Sequence, residues 1–275
     1  MIVHLIDGTY ELFRHFYGLR RFNKGKDAPF GAVSGVLGTV LQMFETGATH
    51  VGVATDHVIE SFRNQLWAGY KTGEGIDRAL WAQFHPLEEA LGVMGVAIWP
   101  MTDLEADDGL ASAAHLASNS KRVEKVSIWT PDKDLAQCVR NGRVVQVDRK
   151  GKRILDEKGV VEKYGVGPEL IPDLLALVGD AADGYPGVSG IGRVTAVRLL
   201  RKHGPIEDFP PQVLGPHKEE ALLFKDLATL RTDAPLFRDV DELQWRGPTL
   251  AFALWEQRLG ERLLERTAKA AAALT

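Results

Sequence analysis

The chain has 275 residues, of which 45% are hydrophobic and 25% charged, and 33 basic against 37 acidic side chains give a net charge of −4. This composition excludes a largely disordered chain, and the length allows one large or two modest domains. Because Cys138 is the only cysteine, a disulfide scaffold is excluded and a reducing cytoplasm is favoured. No long apolar run indicates a membrane span, so we expect a cytoplasmic protein without a membrane partner. The weak negative charge argues against a surface that is basic throughout.

Short apolar runs alternate with segments of helical spacing in the first part of the chain. The runs predict strands at residues 2–6, 51–55, 93–98, 126–130 and 144–147. The segments between them predict helices at 34–44, 80–91, 104–117 and 135–139. This alternation predicts the α/β class with a mainly parallel sheet.

The pattern changes after Lys163, where the apolar runs give way to helical spacing. Residues 168–178 and 193–203 predict two helices on either side of a glycine-rich turn. We therefore predict two domains, residues 1–165 and residues 166–275.

Acidic residues stand where three of the predicted strands end. Asp7, Asp56 and Asp132 follow these strands, and Asp134 lies two residues further on. Because ligands of open α/β sheets bind at the carboxyl ends of the strands, we expect these side chains to share one edge. Two further groups supply five more acids: Glu105, Asp107 and Asp108 at the start of a helix, and Asp180 and Asp183 before the glycine-rich turn.

Nine carboxylates at one edge would repel each other unless divalent cations neutralised them, and oxygen ligands suit Mg²⁺ or Mn²⁺. Glu105 and Asp108 are three residues apart and share a helix face, whereas the spacing predicts that Asp107 points elsewhere. Each acid alone is more typical of a turn or a helix N-cap. Thr102 and Glu105 even have the spacing of a capping box. The prediction of a metal site therefore depends on the whole set.

Two basic segments could contact phosphate groups. Residues 187–192 are rich in glycine and precede a helix that carries Arg193 and Arg198, which suits a nucleic-acid backbone. A tight connection between two helices would need the same glycines, and the spacing does not choose between these readings. Arg63 and Lys71 follow the strand that ends at Asp56 and could hold a phosphodiester, although each could equally be a solvated surface cation.

In this order along residues 1–204, the motifs resemble those of the 5′→3′ exonuclease and flap-endonuclease family, which includes the nuclease domain of bacterial DNA polymerase I and its stand-alone relatives. The motifs are Leu5-Ile-Asp7-Gly with Arg14, Asp56, Phe62-Arg63, Tyr70-Lys71, Glu105-Ala-Asp-Asp108, Asp132-Lys-Asp134-Leu and the stretch from Val178 to Gly192. The resemblance implies a PIN-like α/β core, a helical arch and a C-terminal helix-hairpin-helix lobe, also described as helix-3-turn-helix.

The resemblance also implies a two-metal nuclease site. The first ion would be surrounded by Asp7, Asp56, Glu105, Asp107 and Asp108, and the second by Asp132, Asp134, Asp180 and Asp183. Lys71 would contact the scissile phosphate, with Arg14 or Arg63 offsetting charge on it. The residues implied in DNA binding are Tyr70, Gly190, Ile191, Gly192, Arg193, Thr195 and Arg198, and the hairpin in this family often holds a K⁺ ion.

The implied function is Mg²⁺- or Mn²⁺-dependent hydrolysis, by a monomer, of DNA at a free 5′ end, nick or 5′ flap, or of an RNA primer. Glu74 stands where relatives usually carry an arginine, which motivates an alternative: a structure-specific DNA-binding protein with weak activity. A second alternative is a Mg²⁺-dependent phosphatase of the haloacid dehalogenase type, but Leu5 occupies the position of its nucleophilic aspartate. Without the nine site acids the chain has 28 acidic against 33 basic side chains. The distribution of charge, unlike its sum, therefore favours DNA.

Overall fold

The computed structural model describes residues 1–23, 28–148 and 153–274. Within these ranges, a sheet of six strands has the order β3-β2-β1-β4-β5-β6. The strands are β1 Ile2–Asp7, β2 His50–Asp56, β3 Ala97–Met101, β4 Lys125–Trp129, β5 Val144–Asp148 and β6 Arg153–Leu155. Neighbouring strands pair in parallel except β6, which is antiparallel to β5. The predicted α/β class with a mainly parallel sheet is confirmed.

Helices cover both faces of this sheet and build a lobe beside it. The described α-helices are α1 Gly8–Asn23, α2 Gly31–Glu45, α3 Arg63–Leu66, α4 Arg78–Trp81, α5 Phe84–Val93, α6 Ala106–Asn119, α7 Glu157–Tyr164, α8 Ile171–Val178, α9 Arg193–His203, α10 Pro211–Leu214, α11 Lys218–Ala228, α12 Glu256–Leu259 and α13 Glu261–Ala272. Short 3-10 helices lie at Asp134–Cys138, Pro168–Leu170, Ile206–Asp208, Gly215–His217, Val240–Leu243 and Leu250–Trp255. In the described ranges, no helix is both long and apolar enough to cross a membrane.

The third strand begins later than the apolar run predicts. Val93 is the last residue of α5, and Gly95 turns the chain with a φ of +83° before β3 begins at Ala97. A Cβ on Gly95 would lie 2.1 Å from the carbonyl oxygen of Gly247. The predicted strand 93–98 was therefore partly wrong, since its first residues complete a helix and a turn.

Successive residues of β1 explain why the sheet is covered on both sides. Leu5 packs into the cluster under α6, whereas its neighbour Ile6 packs into the cluster of α2 and α5, and both side chains are fully buried. Alternate strand residues point to opposite faces, so a strand that is apolar at every position requires two covering layers.

The C-terminal segment after α11 leaves the helical lobe and packs on the N-terminal core. The ring of Trp245 stacks on Phe44 with centroids 4.1 Å apart, and its Nε1 donates to the carbonyl oxygen of Met94 at 2.9 Å. On α13, Arg266 pairs with Glu45 at 2.7 Å. These contacts join the C-terminal segment to the N-terminal core. The boundary between two domains at residues 165 and 166 stays a prediction.

Candidate metal centre and nucleic-acid interface

The acids that end β1 and β2 are held by backbone and side-chain donors. Asp7 accepts hydrogen bonds from the Tyr10 amide at 2.8 Å and from Thr130 Oγ1 at 3.1 Å. Asp56 accepts one from the amide of Ala106, the first residue of α6, at 2.9 Å. These bonds come from three separate segments of the chain, so the carboxylates are oriented by the fold before any ligand binds.

Five acids form two overlapping groups at the same edge. One oxygen each from Asp107, Asp132 and Asp134 lie within 4.8 Å of one another, and the same holds for Asp134, Asp180 and Asp183. Asp134 belongs to both groups. Asp134, which follows the predicted strand end at Asp132, thus lies beside the two acids that precede the glycine-rich turn.

Burial and mutual repulsion raise the pKa values of three carboxyl groups at this edge, those of Asp7, Asp107 and Asp134. Burial raises the pKa of Asp7 to about 7, with further contributions from the charges of Asp56 and Asp132. Burial and the charge of Asp132 also raise the pKa values of Asp107 and Asp134. Excess negative charge of this kind is relieved by a nearby cation.

Two lysines supply part of that positive charge. Lys71 Nζ lies 2.7 Å from Glu105 Oε2 and 2.9 Å from Asp183 Oδ1. Lys133 Nζ contacts Asp180 Oδ2 and lies 3.4 Å from Asp134 Oδ1. Lys71 thus lies beside the acids, and its contact with a scissile phosphate stays a prediction. Lys133 was not among the predicted site residues. Its position in the sequence between Asp132 and Asp134, two of the predicted ligands, could have indicated a role at the site.

Adjacent acids at the start of α6 have opposite environments. Asp107 takes part in a carboxylate group, so it points away from the face that Glu105 and Asp108 share, as the spacing predicts. Asp108 is fully buried, and its oxygens accept two hydrogen bonds from the Arg63 guanidinium and others from the amides of Glu105 and Arg231. The capping box forms between Glu105 and Asp108, not from Thr102. With both oxygens engaged, Asp108 is placed to hold the scaffold.

Arg63 lies on the buried side of this scaffold and is enclosed by protein atoms. Its side chain is 1% exposed, and besides Asp108 it donates to the carbonyl oxygens of Leu227 and Thr229. The structure therefore contradicts the expected phosphate contact of Arg63, because the guanidinium is enclosed between α6 and the end of α11. Tyr70, expected at the DNA, is also buried and lies 3.4 Å from Glu105.

Arg14 is the third basic residue predicted to act on the phosphate. It pairs with Glu11, an acid of neither carboxylate group, and lines a cavity of about 450 Å³ together with Tyr10, Thr130 and Pro131. The segment between β2 and α5, where an arch is expected, contains α3 and α4 joined by a loop. In that loop the Lys71 amide donates to the Asp183 carbonyl oxygen at 3.0 Å, and Glu74 is exposed.

The glycine-rich turn projects from the lobe. Gly190 has a φ of +78°, and a Cβ on it or on Gly192 would meet no described atom within 4 Å. Ile191 anchors the turn by packing against the lobe core. On the α9 helix that follows, Arg193 donates to the Lys163 carbonyl oxygen, Thr195 is half-buried and Arg198 is exposed. The exposed residues among them are Gly190, Gly192, Arg193 and Arg198.

Every residue of both groups offers a carboxylate oxygen as a metal ligand, and Mg²⁺ and Mn²⁺ prefer oxygen ligands. Asp134 Oδ1 accepts no hydrogen bond from the described residues although it is buried. The Lys133 ammonium lies 3.4 Å from this oxygen without a hydrogen bond, and a buried oxygen of this kind fits one that completes its coordination with a cation. The residues present therefore fit divalent metal ions.

Comparisons with known proteins agree with this architecture. Residues 2–165 match the family of the 5′-3′ exonuclease N-terminal resolvase-like domain, and residues 166–251 match that of the 5′-3′ exonuclease C-terminal SAM fold. The 5′-3′ exonuclease of Buchnera aphidicola subsp. Baizongia pistaciae is 33% identical over 83% of this chain and 81% of its own. DNA polymerase I of Pseudomonas aeruginosa is 34% identical over 87% of this chain, which spans only 28% of that relative.

Solved structures share the fold. T5 5′-exonuclease with bound divalent zinc ions superposes with a TM-score of 0.68 at 20% identity, covering 99% of both chains. The catalytic core of Rad2 in complex with DNA has a TM-score of 0.60 at 13% identity, covering 97% of this chain and 91% of that one. A PIN-like, resolvase-type core followed by a SAM-fold lobe is thus the class of this protein, as expected. The chain belongs to the 5′-3′ exonuclease family.

Proposed function

We propose that this chain is a divalent-metal-dependent 5′ nuclease that hydrolyses DNA near a free 5′ end, nick or 5′ flap. The observation that carries the proposal is the pair of carboxylate groups that share Asp134 at the carboxyl edge of the sheet. Membership of the 5′-3′ exonuclease family supports the same reaction. An RNA primer at the 5′ end is a further substrate of the same chemistry.

Eight of the nine site acids are proposed as metal ligands, and Asp108 supports the scaffold through Arg63. In the proposal, Asp7, Asp56, Glu105 and Asp107 hold one ion and Asp180 and Asp183 hold the other, with Asp132 and Asp134 between them. Two Mg²⁺ or Mn²⁺ ions bound there would activate a water and stabilise the leaving 3′ oxygen. Ser61 Oγ orients Glu105 by a hydrogen bond of 2.7 Å.

Lys71 is the residue proposed to meet the scissile phosphate. Its side chain is 31% exposed while its Nζ lies against Glu105 and Asp183, so a phosphate brought to these acids would replace carboxylates as its partner. A fixed ammonium at this point offsets charge that develops on the phosphate. Arg14, which is 35% exposed in the adjoining cavity, is proposed to contact the DNA further from the cleaved bond.

The glycine hairpin is proposed to bind the backbone of the duplex. Gly190, Gly192 and Arg198 are exposed, and amides at the start of α9 together with a basic side chain suit phosphate oxygens without reading bases. A K⁺ ion held by hairpin carbonyl oxygens would add to this contact. We further propose that the protein acts as a monomer in the cytoplasm.

Removing ligands from both ions tests the proposal. The double variant Asp132→Asn with Asp134→Asn should lower Mg²⁺-dependent cleavage of 5′-labelled flap DNA by more than about 100-fold, since loss of an outer-shell partner of a metal ligand alone costs about 10- to 100-fold. The control Asp233→Asn changes an exposed acid that lies in neither carboxylate group, and it should cleave like wild type. Unchanged cleavage by the double variant would overturn the assignment.

The same assay separates the two alternatives. Binding of flap DNA in EDTA with no hydrolysis in Mg²⁺ or Mn²⁺ would indicate a DNA-binding protein without activity. A phosphatase of the haloacid dehalogenase type needs a nucleophile at position 5, and Leu5 there is fully buried in the sheet. The chain therefore offers no covalent route of that kind.

A further inference from the structure

We propose that Lys133 is an internal counter-cation of the Asp134–Asp180–Asp183 group, which a divalent ion must displace in order to bind. The inference rests on the proposed function, because it concerns the same metal centre. It assigns to Lys133 control over how tightly the ion is held, which is separate from the chemistry of cleavage.

The geometry places the ammonium group where positive charge is required. Lys133 Nζ contacts Asp180 Oδ2 and lies 3.4 Å from Asp134 Oδ1. The side chains of Asp180 and Asp134 are 4% and 9% exposed, so bulk water screens their repulsion poorly. Both oxygens belong to acids of the group that would hold the second ion. A divalent ion and the ammonium therefore compete for the same carboxylates.

Displacement is feasible because only the backbone of Lys133 is fixed. Its carbonyl oxygen accepts from the Ala136 amide at 3.1 Å as the 3-10 helix begins, which anchors the main chain. The side chain is 35% exposed, and its four-carbon stem can carry the ammonium into solvent. Arg63, 1% exposed and held by carbonyl oxygens as well as acids, has no such freedom.

Lys133 differs in this respect from Lys71, the other lysine at the centre. Lys71 comes from the loop between α3 and α4 and spans from Glu105 to Asp183, so its charge is shared with an acid outside this group. Lys133 is covalently next to Asp132 and Asp134 and stays near the acids in every state. It therefore opposes each binding event, and it also protects the empty centre from repulsion.

Substitution should consequently have two effects of opposite sign. Without the ammonium, the metal-free protein should be less stable because the carboxylates repel each other. Binding of the ion should become tighter, because no cation has to leave and the local potential is more negative. A residue that merely supported the fold would weaken both properties. The conservative variant Lys133→Arg keeps the charge, so its stability without metal and its affinity for the ion should both stay close to those of wild type.

Calorimetric titration of the full chain with Mn²⁺, together with thermal unfolding in EDTA, tests the inference. We expect Lys133→Gln to bind the more weakly held of the two Mn²⁺ ions about tenfold more tightly, as loss of a nearby unit charge predicts. The variant should also unfold at a lower temperature in EDTA. Lys121→Gln, a change at an exposed lysine, should match wild type in both measurements. Equal or weaker Mn²⁺ affinity in Lys133→Gln would overturn the inference.

The outcomes also separate this inference from the proposed function. If wild type binds Mn²⁺ but cleaves no 5′-ended DNA, the proposed function fails, while the comparison of affinities still decides the role of Lys133. If wild type cleaves DNA and Lys133→Gln binds Mn²⁺ no more tightly, only the inference fails. No binding of Mn²⁺ by wild type would overturn both.

Discussion

The carboxylate edge of the sheet and the glycine hairpin are built in opposite ways. At the edge the acids are buried or half-buried, and some are held by donors from several segments, as Asp7 is by Tyr10 and Thr130. At the hairpin, Gly190 and Gly192 face open space, and Val194 beside them is 86% exposed. A small cation demands fixed oxygens, whereas a DNA backbone needs only an accessible surface. Substitutions at the edge should thus alter stability and chemistry, and those at the hairpin only binding.

The largest effect is expected from Arg63→Leu, which removes the cation behind the edge. Asp108 would remain fully buried without its partner, and breaking a buried ion pair from one side costs about 3–5 kcal/mol. Urea denaturation in EDTA measures the free energy of unfolding. Arg266→Leu, which removes a pair with Glu45 in which both side chains are partly exposed, at 38% and 33%, serves as the control and should cost less than about 1 kcal/mol. A loss at Arg63 no larger than at Arg266 would contradict the scaffold role.

A smaller and purely binding effect is expected at the hairpin from Arg198→Gln. Each lost phosphate contact lowers the slope of log K against log salt by about 0.9 for duplex DNA, while the cleavage rate at saturating DNA should not change. The salt dependence of duplex binding, measured in Ca²⁺ or EDTA, reports the slope. Arg246→Gln, at another exposed arginine, is the matched control. A fall in the saturated cleavage rate without a change of slope would break the distinction between the two regions.

Much of the edge could be predicted from the sequence because parallel strands obey a simple rule. Apolar runs that end in Asp7, Asp56 and Asp132 are brought to one edge by the direction of the strands. The 3.6-residue period also predicted α6, but not which of its first acids faces the centre. Asp107 and Asp108 are adjacent, and their roles depend on Arg63, which the local pattern does not reveal.

The remaining features depend on contacts between distant residues. Arg63 is buried because it donates to Leu227, 164 residues further along the chain, and no spacing rule anticipates such a pair. Likewise, Trp245 stacks on Phe44 across the core, so the return of the C-terminal segment could not be inferred from its own composition. Local periodicity predicts elements, whereas long-range packing decides which polar side chains are enclosed.

The central claim is that two divalent ions share Asp134 at the edge of the sheet. Anomalous diffraction from crystals soaked in Mn²⁺ tests it directly. The account predicts two peaks about 4 Å apart, one beside Asp107 and one beside Asp183, with the Asp134 carboxylate in contact with both. A single peak, or peaks that do not touch Asp134, would contradict it.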